Sequence, residues 1–105
     1  MTKAKLALLI AAAKSIGWTP VRDYEEGFGL LIEGRQDVWN PFDDDADAFR
    51  IMVDASMFVD VSDCANKARA CTQQSKGNWV YVVGNVDIYE ATRYAIVEAA
   101  ASLNY

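Results

Sequence analysis

The chain contains no histidine. That removes the side chain most used for acid–base work near neutral pH, the Ser/His and Cys/His couples, and the usual nitrogen ligand of transition metals. Cysteine is nearly as scarce. Cys64 and Cys71 have no second pair of cysteines to complete a tetrahedral zinc site. They do not fix a redox compartment, and the reduced interior of a cell is the default expectation. A hairpin between them would bring the two thiols face to face.

Long apolar runs are missing too. Residues 6–13, "LALLIAAA", follow two lysines as in a secretory leader, but a bilayer span needs about 20 such residues. Leu6, Leu9, Ile10, Ala13 and Ile16 recur at helical spacing, and Lys14 interrupts the run before a clean cleavage site. An amphipathic helix is therefore expected, with no membrane association. Positive charge is also in deficit: 10 Lys and Arg against 15 Asp and Glu give a net charge of −5. A phosphate backbone is recognised by basic surface, so direct nucleic-acid binding is not expected.

What is present suits one small globule. Apolar residues make up 52% of the chain and aromatic residues 11%, enough to offset the ordering entropy of a single domain over 1–105 with one modest core. Thr2 is placed to cap a first helix running to about Ile16, with Gly17 as its stop. "WTPVRDY" and "FGLLIEG" read as two strands, and "EGRQD" as the turn that follows. A second helix is expected from about Asp44 to Ala55, with Ala46, Phe49, Met52, Val53 and Ser56 on its inner face and Asp47, Arg50 and Asp54 on its wet one. Three strands come next: "MFVDVS", with Met57, Val59 and Val61 on one side; "NKARACTQQ", alternating Lys67 and Arg69 with Ala68 and Ala70; and "NWVYVVG", the most apolar and so expected at the centre. A third helix opens at Asp87, with Glu90 completing a capping box, and runs to about Ser102.

The fold class is therefore α+β in the order α-β-β-α-β-β-β-α. The short strand connections favour a mainly antiparallel sheet with helices packed on it. Three helices crowd one face of a small sheet, which brings an α/β/α three-layer sandwich into consideration.

The densest motif is "DVWNPFDDDADAFR", residues 37–50. Asn40-Pro41 is a turn-forming pair, and Trp39 and Phe42 are expected to anchor the loop to the core. Asp43 is placed as the cap of the second helix, with Asp44 and Asp45 in its first turn, where carboxylates complement the helix dipole. Arg50 is within helical reach of Asp47 and Asp54. The sharper alternative is a hard-cation site on Asp43, Asp45 and Asp47. Against it, helical geometry splays these side chains and no glycine supplies the sharp turn of a calcium loop. No metal or cofactor is expected.

"VWNPFDDDADAFRIMV" followed by "YEATRYAIVEAAA" resembles a family of small phage proteins, the phage ABA-sandwich domain. The resemblance rests on Trp39, Asn40, Pro41, Asp44, Asp45, Asp47, Ala48 and Arg50, then on Ala91, Thr92, Arg93, Ala95, Ile96, Val97, Ala99 and Ala100. The opening helix fits as well, and residues 57–85 match in character alone. What it implies is helix–sheet–helix layering and a viral or prophage setting in the cytoplasm of a bacterial host. It carries no activity and no catalytic residues.

Further candidate positions lie on the last helix. Ile88, Ala91, Ala95, Ala99 and Ser102 form one face; Tyr89, Ile96, Ala100 and Leu103 form another. A helix apolar over more than one stripe needs a second neighbour. The alanine-rich first helix and the same helix of a second copy are both candidates, so Tyr89, Arg93, Ile96, Val97, Ala100 and Leu103 make an expected interface for a partner or a homodimer. Arg93 is expected either in an ion pair with Glu90 or another surface acid, or buried and reaching the Asp43–Asp47 cluster. Trp18, Trp39, Trp79, Tyr24, Tyr81, Tyr89 and Tyr94 are core residues first and lining of a ligand pocket second.

With no catalytic set, the expected function is a non-enzymatic accessory protein acting on a host or phage protein, with inhibition of a host defence system as a subclass. The alternatives are a small-molecule or nucleotide-binding module and, behind it, a metal-assisted hydrolase on Asp45 and Asp47.

Overall fold

The computed structural model describes residues 2–23, 29–62, 66–74, 78–84 and 87–103. Helix α1 spans Lys3–Ser15, strands β1 and β2 are Pro20–Asp23 and Leu30–Ile32, and helix α2 is Asp45–Asp54. Strands β3 (Met57–Ser62), β4 (Lys67–Thr72) and β5 (Val80–Val83) follow, and helix α3 (Ile88–Ala101) comes after them. The element order is the one read from the sequence. Both sheets are antiparallel: β1 pairs with β2, and β3-β4-β5 form a separate three-stranded sheet.

The helix ends follow from their cap residues. The Thr2 side chain accepts from the Lys5 N–H at the start of α1. At its end Gly17 adopts φ +81°, with Gly17 N–H donating to Lys14 and Trp18 N–H to Ala13. This is the paired closure that a left-handed glycine allows. Asp87 caps α3 by accepting from the Glu90 N–H at 2.8 Å.

Two apolar clusters meet at α3. On one side, Ala91, Ala95 and Ala99 lie against Ala68 and Ala70 of β4, and these small side chains let the helix approach the sheet closely. On the other, Ile96, Val97 and Ala100 join Leu9, Ala12 and Ala13 of α1, Leu30 and Ile32 of β2, Trp39, Phe42 and Ile51. The second neighbour of α3 is thus α1. The layers run from the three-stranded sheet through α3 to α1 with the β1–β2 pair. Phe58 and Tyr81 are more than half exposed on the sheet face opposite α3.

Three expectations are corrected. The central strand is β4, not β5. Ala68, Ala70, Cys71 and Thr72 of β4 are buried, whereas Tyr81 and Val83 of β5 are exposed on the face away from α3; β4 is flanked by a strand on each side and its alanines lie directly beneath α3. The cap of α2 is Asp44, not Asp43. Asp43 and Asp44 both donate their N–H groups to the Asn40 carbonyl, which extends the turn by one residue, and the Asp44 side chain accepts from the Asp47 N–H at 2.9 Å. The inner face of α2 is rotated accordingly. Ala48 and Ile51 are buried and Met52 half-buried, while Ala46, Phe49, Val53 and Ser56 face outward. Asp47, expected on the wet side, is turned toward the preceding loop.

Candidate interaction surface

The Trp-Asn-Pro loop is built around its own backbone. Asn40 Oδ1 accepts from the Phe42 N–H at 3.1 Å, and Asn40 Nδ2 donates to Asp43 Oδ2 at 3.0 Å. The Asn40 N–H donates to Asp47 Oδ2 at 3.0 Å, so one α2 carboxylate ties down the loop before the helix. Trp39, Pro41 and Phe42 are buried, and Leu30 and Trp39 exchange both backbone hydrogen bonds at 2.9 Å. Gly29 precedes this bridge at φ +144°, and a Cβ there would sit 2.6 Å from the Trp39 carbonyl oxygen. Glycine is required by both counts.

Each aspartate of the run therefore has a structural task. Asp43 holds Asn40, Asp44 caps, Asp45 receives Arg93, and Asp47 receives the Asn40 N–H with Arg35 at 3.6 Å. No group of three metal-ligating side chains occurs among the described residues. Arg50 lies 4.0 Å from Asp54, not on Asp47.

Arg93 is half-buried and takes the alternative that reaches the aspartate run. Its Nε donates to the Phe42 carbonyl at 2.7 Å and its Nη1 to Asp45 Oδ1 at 2.8 Å. The guanidinium thus ties the middle of α3 to the turn and first residue of α2, and in doing so shapes the groove between the two helices.

That groove encloses about 690 Å³ and is lined mainly by apolar side chains. Ala48, Phe49 and Met52 form the α2 wall and Ile88, Tyr89, Thr92 and Ile96 the α3 wall. Asp45 and Arg93 are at the groove, and Val61 lines it from β3. Phe49 is 59% exposed, Tyr89 65% and Val61 57%. Three large apolar side chains thus share one exposed hollow. The residues expected to form an interface are dispersed. Tyr89, Arg93 and Ile96 line the groove, but Val97 and Ala100 are fully buried under α1 and cannot meet a partner. Leu103 lines a different hollow, with Ser15 and Ser56. Phe49 was missed as a surface residue because it was phased to the inner face of α2, and Val61, placed on one side of β3 with Met57 and Val59, is exposed where those two are half-buried.

The described aromatic residues do not gather around one hollow. Trp18 meets Trp39 edge-on at 5.4 Å, Phe42 meets Tyr94 at 4.6 Å, and Trp79 stacks under Arg69 at 4.0 Å. The Lys5 ammonium donates to the Tyr94 hydroxyl and lies over its ring. Arg35 and Arg50 both lie over Trp18, at 5.1 and 5.9 Å, each held by an aspartate. Tyr24 and Cys64 lie outside the described residues, and Cys71 is buried opposite Phe58 in the β3–β4 ladder. No helix among the described residues is long and apolar enough to cross a membrane.

No protein-family model, curated protein or solved structure matches the chain.

Proposed function

We propose that the protein works by binding another protein along the α2–α3 groove, without catalysis of its own. The observation that carries this reading is the groove itself, with Phe49, Tyr89 and Val61 kept exposed beside it. Large aromatic side chains in a desolvable hollow are the anchors from which protein interfaces draw most of their energy. The resemblance of the Trp39–Arg50 and Ala91–Ala100 segments to small phage proteins supplies the setting: an accessory protein of a phage or prophage acting on a host or phage protein in the host cytoplasm. Inhibition of a host defence system is the narrower form of this proposal.

The second reading is a small-molecule or nucleotide site. Its support is the groove volume, which falls within the roughly 300–1,000 Å³ of ordinary ligand pockets.

Immobilised wild-type protein and a Phe49→Ser/Tyr89→Ser variant, exposed to host and infected-cell lysates, separate the two. A stoichiometric protein partner held by the wild type and lost from the variant is the expected result. A nucleotide or metabolite retained without protein, or a partner indifferent to both substitutions, overturns the proposal.

A further inference from the structure

Strand β5 lies at the edge of its sheet, and the ladder reveals which of its backbone groups are unused. Gly84 N–H donates to the Asn66 carbonyl at 2.8 Å. With the register Lys67↔Val83 through Ala70↔Val80, the alternation of an antiparallel ladder makes 68/82 and 70/80 hydrogen-bonded pairs, and 67/83 and 69/81 non-hydrogen-bonded ones. The N–H and C=O groups of Val80 and Val82 therefore turn toward β4. Those of Tyr81 and Val83 turn away from it, and no described residue receives them.

The same two residues expose their side chains, 54% for Tyr81 and 65% for Val83. Sheet edges are commonly guarded by charge, proline or a bulge. Residues 78–84, "NWVYVVG", contain neither charge nor proline, and the β4–β5 register runs without a bulge. Strands β3 and β2 are defended at their outer edges. Strand β3 carries Asp60 and has α2 packed against it, and β2 has Trp39 bridged to Leu30 on its open side.

We propose that β5 pairs with β5 of a second copy, antiparallel about a two-fold axis at Val82, joining two three-stranded sheets into one continuous sheet. Tyr81 then opposes Val83 of the partner subunit, and Val83 opposes Tyr81 of the partner subunit, each pair exchanging both main-chain hydrogen bonds. Both are aromatic to β-branched pairs, a combination that stabilises antiparallel sheets. Val82 faces Val82 of the partner subunit at a non-hydrogen-bonded position.

The register selects a second copy as the occupant, because a two-fold at Val82 matches each outward residue with the other, and charge does not oppose contact at this segment. The chain carries net charge −5, so two copies repel over most of their surface, whereas this segment is neutral. The cations of β4 beside it are already engaged: Arg69 with Asp60 at 2.7 Å, and Lys67 over the Tyr81 ring at 5.0 Å. A two-fold through Val82, normal to the sheet, keeps α3 of both copies on the same side of the joined sheet. The contact uses none of the groove residues and stands independently of the proposed function.

Sedimentation velocity from micromolar to millimolar protein tests it. Concentration-dependent dimerisation is expected. Val83→Pro should weaken it roughly tenfold or more, since proline removes the outward N–H on both copies and no bond to β4. Val83→Lys, which adds edge charge and leaves every β4 bond intact, should weaken it as well if the proline variant fails to fold. In a chain with Cys64→Ser and Cys71→Ala, Val82→Cys should form a symmetric disulfide under mild oxidation, because non-hydrogen-bonded pairs bring Cα atoms to about 4.5 Å. Val80→Cys should not. A monomer at every concentration overturns the proposal. So does a dimer that survives both Val83 variants or is lost on Phe49→Ser, or equal cross-linking from Val80→Cys.

Discussion

Arg93 joins the middle of α3 to the first residue of α2 through Asp45, Nη1 to Oδ1 at 2.8 Å. The two side chains are unequally placed, Arg93 18% exposed and Asp45 72%. Their substitutions should therefore differ. Asp45→Asn removes a mostly solvated charge and should cost less than about 1 kcal/mol. Arg93→Ala also strips the donor from the Phe42 carbonyl and should cost about 1.5–3 kcal/mol. Urea denaturation of the single and double variants checks this, and the coupling of Arg93 to Asp45 should exceed its coupling to Asp44.

Asp44 and Asp43 make a second contrast. Asp44→Ala removes the cap of α2 and should cost about 0.5–2 kcal/mol. Asp43→Ala loses only its exposed bond to Asn40 and should fall within about 0.5 kcal/mol of wild type. Thermal unfolding followed by circular dichroism distinguishes them, and the reverse order would return the cap to Asp43.

The rotated face of α2 predicts that Ile51→Ala, at a fully buried position, costs about 2–5 kcal/mol. Phe49→Ala truncates a larger side chain, yet should cost less than about 1 kcal/mol because most of it is already in water. Chemical denaturation of the two variants side by side tests which residue belongs to the core.

Burial pushes the Glu98 carboxyl above its ordinary value of 4.5. The folded chain thus holds this proton more tightly than the unfolded one. The stability Glu98 contributes is full below 4.5 and is lost as pH rises through the folded value. Glu98→Gln should accordingly be more stable than wild type near neutral pH and lose that advantage in acid. Urea midpoints at the two pH values provide the measurement.

Local chemistry was legible where a single residue decides it. Thr2, Gly17 and Asp87 mark helix ends with side chains or dihedrals that few alternatives satisfy, and all three stand where the pattern placed them. The phase of α2 was not legible. Its helix carries Phe49 and Val53 on one stripe and Ala48 and Ile51 on another, and hydrophobicity alone favours the bulkier pair. What decides is the loop, where Asp47 must face inward to meet the Asn40 N–H. The centre of the sheet misled for a related reason. β5 has the apolar side chains, but β4 is flanked by a strand on each side, and its Ala68 and Ala70 lie directly beneath α3. The groove followed from both effects, since Phe49 and Val61 became lining only once the core was filled by smaller neighbours.

The placement of α3 between two clusters has a consequence for synthesis. Every other element described precedes it in the chain. The part of α1 that meets α3 and the alanine face of the three-stranded sheet are therefore made first and remain wet until Ile88–Ala101 emerges. Neither half can be completed by its own local contacts, so closure of both should occur in one cooperative step, with the emerging polypeptide most vulnerable to aggregation and proteases just before it.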